Sequence, residues 1–288
     1  MAFHCAAVFG LGLIGGSIAR DLAANGVRVI GYDANAKSLG RSLDEGSVHA
    51  AIDGNTDLVS EAEIVILAVP VDAAPDLLAK LAPRLGSARL ITDVGSTKVG
   101  IARAASRFGI GDRFVGSHPL CGDHRSGWSA SRRDLFQDAK VFICPSENSN
   151  PEALRLAADF WRALGANPVA IAPVEHDQIM SWVSHLPQLT ATALALTLKE
   201  AGFARDELGP GGLEMTRLGG SSPEMWSAII EENRENVLRA VSALIGQLEG
   251  IRAHLTENDN ASINRRLNDS CDWSRSHIPC KGASSTRT

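Results

Sequence analysis

The sequence predicts an α/β fold in which a doubly wound parallel sheet is followed by an all-α segment. Up to Pro173, short and continuously apolar runs alternate with amphipathic stretches. This is the pattern of parallel strands that are buried on both faces by the helices connecting them. Beyond Pro173 the alternation gives way to long helical periodicities, and no convincing strand follows.

The elements of the sheet can be taken in chain order. Residues 6–9 form the first apolar run, residues 14–25 carry a helical pattern, and residues 27–32 form the second apolar run. Because strands that alternate with helices pair in parallel, we expect one parallel sheet covered on both faces. Further strands are predicted at residues 64–69, 90–93, 114–117, 141–144 and 168–171.

The helical part contains two long predicted helices, at residues 180–199 and 225–255, separated by Gly209-Pro210-Gly211-Gly212. Helices this long and apolar need a partner surface. We therefore expect a homodimer formed through this part, with a monomeric bundle as the alternative. The apolar side chains of the second helix recur at spacings of three and four: Ile229, Ile230, Val237, Val241, Leu244, Ile245, Leu248 and Ile251.

Composition excludes several classes of function. The chain has 288 residues and a net charge of −5, with 44% hydrophobic and 21% charged residues. An acidic chain does not favour nucleic acid as a partner. The five cysteines form no CxxC pair, which predicts neither a metal site nor a disulfide framework and suits a reducing cytoplasm. We expect no signal peptide and no membrane span, since no apolar run reaches the roughly 20 residues that a bilayer requires.

A glycine-rich loop follows the first predicted strand and opens the first helix. It reads Gly10-Leu11-Gly12-Leu13-Ile14-Gly15. Gly10 would permit a tight turn, Gly12 a close approach of backbone to a pyrophosphate, and Gly15 close packing of helix on sheet. The helix N-terminus then offers free N–H groups to the phosphates. The predicted cofactor residues are Gly10, Gly12, Leu13, Ile14, Gly15, Asp33, Val69 and Pro70.

Asp33 predicts NAD as the cofactor. It ends the second strand, 18 residues after Gly15. A carboxylate at this position accepts hydrogen bonds from the ribose hydroxyls and repels a 2′-phosphate, although Arg41 could soften that preference. Val69 and Pro70 end the third strand, where the ligand crevice of an open sheet is expected.

These observations predict three segments. Residues 1–173 form an NAD-binding domain of the Rossmann type, and residues 174–257 form a helical dimerisation domain, to which the motifs given next assign the substrate as well. Residues 258–288 are rich in Asn, Ser and Arg and have little periodicity, which predicts a largely disordered tail.

Several later segments carry polar residues that lead into the crevice. They are Asp93-Val94-Gly95-Ser96-Thr97-Lys98, Ser117-His118-Pro119-Leu120-Cys121-Gly122, His176-Asp177, Ser184-His185-Leu186-Pro187-Gln188, Thr216-Arg217 and Pro223-Glu224-Met225-Trp226. Together with the glycine loop, these motifs resemble the prephenate/arogenate (cyclohexadienyl) dehydrogenase family over residues 5–255, and they fall in the order of that family. The glycine loop alone would fit many dehydrogenases.

The resemblance implies an activity in tyrosine biosynthesis: oxidative decarboxylation of prephenate or arogenate with hydride transfer to NAD. The ring hydroxyl loses its proton, the hydride leaves the same carbon, and the ring carboxylate departs as CO₂. His118 matches the catalytic histidine of the family, and a neutral imidazole suits that proton transfer. Ser96 matches a serine that hydrogen-bonds the same hydroxyl, although it could also be a helix N-cap.

The resemblance also implies substrate-binding residues. Arg217 matches an arginine that holds a substrate carboxylate, a task that suits its planar guanidinium. Trp226 matches a position near the active site. Gln188 stands where many members carry histidine, and it can hydrogen-bond but cannot carry charge. Lys98 could support the site electrostatically or be solvated.

His176, Asp177 and His185 are expected to support the site from behind. His176 and Asp177 are adjacent, so on a helix they should point to different sides and join the two domains. Three other functions stay open: an arogenate-specific dehydrogenase, a β-hydroxyacid-type NAD dehydrogenase, and an NAD-binding sensor without turnover. The β-hydroxyacid enzymes normally use a catalytic lysine in the helical domain, whereas the conspicuous residues here are His118 and Arg217.

Overall fold

A computed structural model describes residues 3–52, 56–121, 125 and 127–276. The chain divides into two compact units, one up to Val237 and one from Leu238. The predicted domain boundary at residue 173 coincides with the place where strands give way to helices, since β8 (Asn167–Ala170) is followed by α6 (Pro173–Met180).

The first unit contains a five-stranded parallel sheet, in which β1 (Cys5–Phe9) lies between β2 (Arg28–Tyr32) and β4 (Ile64–Leu67), with β3 (Ala50–Ala51) and β5 (Leu90–Asp93) at the two edges. Side chains alternate between two cores, so that Ala6 and Val8 face one side and Ala7 and Phe9 the other. Helices therefore bury both faces, as predicted. The elements are β1 (Cys5–Phe9), α1 (Leu13–Ala24), β2 (Arg28–Tyr32), α2 (Ala36–Asp44), β3 (Ala50–Ala51), β4 (Ile64–Leu67), α3 (Ala74–Leu81), β5 (Leu90–Asp93) and α4 (Val99–Arg107).

A second sheet of three strands adjoins the first through a parallel bridge between Ile91 and Phe114. The prediction of parallel pairing throughout is wrong here, because β6 (Val115–Pro119) and β7 (Lys140–Pro145) are antiparallel. In the described residues between them only a short 3-10 turn occurs, so no helix carries the chain back to the start of the sheet. Helix α5 (Pro151–Ala163) then leads to β8, which is parallel to β7.

The helical region begins near residue 173 as predicted, but its first helix starts at Pro173 rather than at residue 180, and the region is interrupted twice. A π-helical turn at Ser181–His185 joins α6 to α7 (Leu186–Glu200), and such turns are frequent at functional sites. Helix α7 is followed by α8 (Pro210–Thr216), α9 (Pro223–Glu232) and α10 (Arg234–Thr256). The predicted helix 225–255 is therefore two helices, because Asn233 ends α9 and donates its side-chain amide to Asp177 O.

The unit from Leu238 contains most of α10 and a further helix, α11 (Asn260–Arg275). The prediction of a disordered tail is therefore wrong for these residues. Asp259 caps the helix by accepting from Ser262 N at 3.0 Å, and Arg266 donates to Gln247 of α10 at 2.7 Å. The prediction was based on apolar periodicity alone, which does not report an N-cap or a hydrogen bond to a neighbouring helix. Residues 277–288, including Cys280, lie outside the described residues.

Candidate active site

The glycine loop lies at the switch point of the first sheet, between the carboxyl ends of β1 and β4. Gly10 has a φ of +92°, and a Cβ there would collide with Ala68 O. A Cβ on Gly15 would collide with Gly10 O, whereas one on Gly12 would meet no atom within 4 Å. The loop therefore packs tightly against β4 while its Gly12 backbone borders open space, which fits the pyrophosphate of a dinucleotide.

Asp33 follows β2 and holds the glycine loop in place. Its Oδ2 accepts from Leu11 N at 2.6 Å, and its Oδ1 accepts from Asn35 N at 2.7 Å. Each carboxylate oxygen keeps a second acceptor position, so the group can also accept from a ribose hydroxyl. The other predicted cofactor residues lie along the same crevice: Leu13 and Ile14 begin α1, and Val69 and Pro70 follow β4.

His118 lies within β6, not just after a strand as predicted, and it pairs in register with Phe142 of β7. Its ring is half-buried and meets the ring of His176 edge to face, with centroids 5.1 Å apart. His118 Nδ1 lies 2.9 Å from His176 Nε2. Nε2 of His118 is therefore the ring nitrogen that is left for a substrate.

The hydrogen-bond chain continues from His176 into α4. His176 Nδ1 lies 2.7 Å from Asp177 Oδ1, so the two adjacent side chains contact each other rather than diverge as predicted. Asp177 accepts from Lys98 N and from Val99 N, each at 2.9 Å. The carboxylate thus caps the N-terminus of α4, where a negative charge is favoured. Ser96 lies half-buried in the loop before this helix and does not supply the cap.

Asn233 is a residue of the site that the sequence did not reveal. It is 4% exposed and donates from Nδ2 to Asp177 O at 2.7 Å. The same Nδ2 lies 3.2 Å from His185 Nδ1. Asn233 therefore joins the end of α9 to α6 and to the π-helical turn. The available signal was a polar residue between two apolar stripes, which is also common in an uninterrupted helix.

Lys98 is a buried cation beside the catalytic candidates. Its side chain is 0% exposed, and Nζ forms an ion pair with Asp93 and donates to Ser117 O at 2.8 Å. The alternative of a solvated lysine is therefore wrong. Asp93 Oδ2 also accepts from Gly95 N at 2.9 Å, which shapes the loop carrying Ser96.

All three imidazoles of the site are held neutral. Burial lowers the pKa of His118 well below its usual value, and the neighbouring His176, Lys98 and His185 lower it further. Burial also lowers the pKa of His176, against the opposing effect of its hydrogen bond to Asp177. Burial lowers the pKa of His185 to about 4. At neutral pH His118 can therefore accept a proton.

Three predicted residues from the helical part form a second cluster, which Asn233 links to the hydrogen-bond chain of His118 through its contacts with His185 and Asp177. The rings of His185 and Trp226 meet at 82° with centroids 5.9 Å apart. Gln188, one turn beyond His185, donates from Nε2 to Leu218 O at 2.8 Å. Among the described residues, His185 Nε2, Trp226 Nε1 and Gln188 Oε1 are buried polar atoms without a hydrogen-bond partner.

Arg217 is exposed at the end of α8, where it pairs with Glu214 at 3.2 Å. It follows Thr216 and precedes Leu218, the residue that receives the bond from Gln188. The backbone at Arg217 therefore lies next to Gln188. The guanidinium of Arg217 pairs with Glu214 at the surface, where solvent screens the attraction. Gly122, which ends the motif containing His118, lies outside the described residues.

Within the part of the chain that the structure describes, no three His, Cys, Asp or Glu side chains cluster as metal ligands. No described helix is both long and apolar enough to cross a bilayer. The site itself contains the imidazole of His118, the hydroxyl of Ser96 and the buried ion pair of Lys98 with Asp93.

Comparison with known proteins agrees with this arrangement. The family model for the nucleotide-binding domain of prephenate dehydrogenase matches residues 18–170, and that for its dimerization domain matches residues 172–269. Prephenate dehydrogenase from Bacillus subtilis is 31% identical over 94% of this chain and 75% of its own length.

Two solved structures are similar over nearly the whole chain. Prephenate dehydrogenase from A. aeolicus, in complex with hydroxyphenyl propionate and NAD⁺, has a TM-score of 0.87 at 28% identity, covering 95% of this chain and 98% of its own. Synechocystis arogenate dehydrogenase has a TM-score of 0.82 at 28% identity, covering 95% of this chain and all of its own. The chain therefore belongs to the prephenate dehydrogenase family.

Proposed function

We propose that this protein is an NAD-dependent dehydrogenase that oxidatively decarboxylates prephenate, arogenate or both, a reaction of tyrosine biosynthesis. The observation that carries the proposal is that the His118 imidazole is neutral and that His176 contacts its Nδ1, which leaves Nε2 for the substrate. This base lies on β6, whose sheet adjoins β5 of the first sheet, the sheet that carries the dinucleotide crevice. Family membership supplies the substrate class.

The residues of the chain divide the work of the reaction. The glycine loop and Asp33 would hold NAD⁺, which would supply the acceptor for the hydride of the ring carbon. His118 Nε2 accepts the proton of the hydroxyl on that carbon, which pushes electron density toward the leaving hydride. Ser96, in the loop shaped by Asp93, orients the hydroxyl, and Arg217 binds a substrate carboxylate. Trp226 closes the substrate pocket from the helical side.

The cofactor is held by the glycine loop and by Asp33. The backbone at Gly12 and the first turn of α1, with Leu13 and Ile14, would hold the pyrophosphate. Asp33 holds the loop through Leu11 N and would accept a hydrogen bond from the adenosine ribose. Val69 and Pro70 would border the cofactor from the end of β4.

A direct assay tests the proposal. Formation of NADH, followed at its absorbance maximum, should depend on prephenate or arogenate and should release one CO₂ for each NADH. Short β-hydroxyacids serve as the comparison, because they are the substrates of the alternative enzyme class. NAD⁺ binding without turnover of either ring compound would favour the sensor, and turnover of β-hydroxyacids alone would reject the family reaction for this chain.

A specific observation favours arogenate over prephenate. Because Leu218 O can only accept, the Gln188 amide must point its Nε2 toward it, which leaves Oε1 as a buried acceptor. An unsatisfied acceptor suits a hydrogen-bond donor on the substrate. Arogenate carries an ammonium group where prephenate carries a keto oxygen, and a keto oxygen would repel Oε1.

Replacing Gln188 with His should shift substrate preference toward prephenate. A histidine ring can donate to a keto oxygen, whereas the amide oxygen favours the ammonium group. We expect the ratio of kcat/KM for arogenate to that for prephenate to fall by about 10- to 100-fold, as for a hydrogen bond to a charged group. Gln188→Met, which removes the acceptor at similar volume, should lower arogenate turnover and relieve the repulsion of prephenate, but it should improve prephenate turnover less than Gln188→His because it supplies no donor. An unchanged ratio in both variants would place the discrimination elsewhere.

We also propose that the chain forms a homodimer through its helical part. On α10, Leu238, Leu248 and Leu255 are 64%, 57% and 62% exposed, and Ile245 lies on the same stripe. These four side chains are spaced by seven, three and seven residues, the spacing of a helix seam. A second copy of the chain is the occupant that fits, because the matching family model is that of a dimerization domain.

Replacing Leu248 with Glu should convert the dimer into a monomer. The charge would be buried against apolar side chains of the second copy, which is unfavourable without a partner. Sedimentation equilibrium should give twice the chain mass for the wild type and the chain mass for the variant. Ala253→Glu adds the same charge to another exposed face of α10 and should stay dimeric. A monomeric wild type would reject the proposal.

The cytoplasm is the proposed location. Among the described residues, Cys5, Cys121, Cys144 and Cys271 are free thiols, and a reducing compartment keeps such thiols unpaired.

A further inference from the structure

The inference concerns how the protein keeps the correct ring nitrogen of His118 available for the substrate. We propose that His176 and Asp177 are positioning residues that fix the tautomer of His118, with the bare nitrogen at Nε2. The inference rests on the proposed function for its catalytic meaning. Its physical basis is the hydrogen-bond chain from α4 through Asp177 and His176 to His118.

Backbone groups fix one end of this hydrogen-bond chain, at Asp177. Asp177 Oδ1 and Oδ2 accept from the consecutive amides of Lys98 and Val99, and Asn233 Nδ2 donates to the main-chain oxygen of Asp177. Backbone N–H groups can only donate. The orientation of the Asp177 carboxylate is thus determined by α4, and the place of its backbone by α9.

Each following hydrogen bond then has one possible direction. A carboxylate accepts, so His176 Nδ1 must carry the proton in the 2.7 Å contact with Asp177. His176 is neutral, so its Nε2 is bare and must accept in the 2.9 Å contact with His118 Nδ1. His118 is also neutral, so with the proton on Nδ1 its Nε2 carries the lone pair.

Packing keeps this arrangement from relaxing. His176 is fully buried, and its ring stacks edge to face on Phe142 with centroids 5.4 Å apart. Phe142 is also the register partner of His118 across the strands. A rotation of either imidazole would therefore break a hydrogen bond inside a packed aromatic contact. The charged and titratable groups around the pair are Lys98, Asp93, Asp177 and His185.

This arrangement has a catalytic consequence. In the opposite tautomer Nε2 of His118 would carry a proton and could not accept one from the ring hydroxyl. The reaction would then need a ring flip or a proton exchange before each turnover. Enforcing the wrong tautomer on a catalytic histidine costs about 10⁴-fold in kcat.

Two substitutions at His176 separate positioning from packing. His176→Gln keeps an amide oxygen that can accept from His118 Nδ1, whereas His176→Leu fills similar space without an acceptor. We expect kcat for the Gln variant to exceed that for the Leu variant by at least about 10-fold, with similar KM for NAD⁺ and similar melting temperatures. Equal kcat values in two equally folded variants would overturn the proposal.

Asp177→Asn tests the direction of the chain. Its amide can donate to His176 Nδ1, which would reverse both following hydrogen bonds and protonate His118 Nε2. We expect kcat to fall by about 10²- to 10⁴-fold. Because Asp177 also caps α4, this variant can lose stability, and the His176 pair provides the test that does not depend on it.

Nitrogen-15 NMR of the imidazoles reads the tautomer without turnover. In the wild type, His118 should show a protonated Nδ1 and a bare Nε2 at neutral pH, and His176→Leu should show a mixture. A protonated Nε2 in the wild type would overturn the inference. If the spectrum agrees but neither prephenate nor arogenate is oxidised, the proposed function fails while the positioning inference stands.

Discussion

Replacing His118 with Asn is expected to lower kcat by about 10²- to 10⁴-fold, the usual contribution of a general base, while leaving NAD⁺ affinity close to that of the wild type. The asparagine amide can keep a hydrogen bond toward His176 but offers no basic nitrogen to the substrate. The dinucleotide crevice is built from β1, β2 and β4, so the substitution does not touch it. Steady-state kinetics and titration of tryptophan fluorescence with NAD⁺ measure the two quantities separately.

His4→Asn is the matched control, because His4 is exposed and lies outside the site. It should retain wild-type turnover.

The pH profile supplies a second check of the role of His118. Since the pKa of the free imidazole lies well below its usual value, its basic form is already present at neutral pH. The kcat/KM of the wild type should stay level as pH falls through 6.5 and decline only in more acidic solution. An Asn variant with wild-type kcat would remove His118 from the mechanism.

The sheet and the cofactor loop could be predicted from sequence because their signals are local. The apolar run before Gly10 and the acidic residue after the second strand are read directly from the order of residues. The direction of β7 could not be predicted from such local signals. It depends on whether a helix lies between β6 and β7, and the predicted pattern assumed that every pair of strands had one.

The relation between His118 and His176 could not be predicted, because 57 residues separate them in the chain. Their contact depends on the packing of α6 against β7, which brings Phe142 and His176 together. Asn233 was missed for a similar reason, because its partners Asp177 and His185 are distant in sequence. The residues around Asn233 have the periodicity of one continuous helix, although the helix is interrupted there. A periodic pattern shows which face is apolar, and it does not show where a buried amide interrupts the helix.

Replacing Asp93 with Asn is expected to destabilise the protein by about 3–5 kcal/mol, a large part of the 5–15 kcal/mol typical of a folded protein. The change leaves the Lys98 ammonium buried at 0% exposure with no opposite charge beside it. Ser117 O accepts from Lys98 Nζ, but a carbonyl does not neutralise the charge. Thermal unfolding followed by circular dichroism, without ligands, should show a melting temperature lower by roughly 6–20 °C.

The double variant Asp93→Asn with Lys98→Met separates the buried charge from the shape of the site. Methionine has a similar length and no charge, and replacing a buried ion pair by apolar groups is often neutral, so most of the lost stability should return. Glu152→Gln, which breaks the exposed pair with Arg155, should leave the melting temperature nearly unchanged.

Removing Lys98 also removes one of the charges that lower the pKa of His118, so the acidic decline of kcat/KM in the double variant should move to higher pH. A double variant no more stable than Asp93→Asn, with an unmoved pH profile, would show that the unpaired Lys98 charge is not the cause of the lost stability and that Lys98 does not lower the pKa of His118.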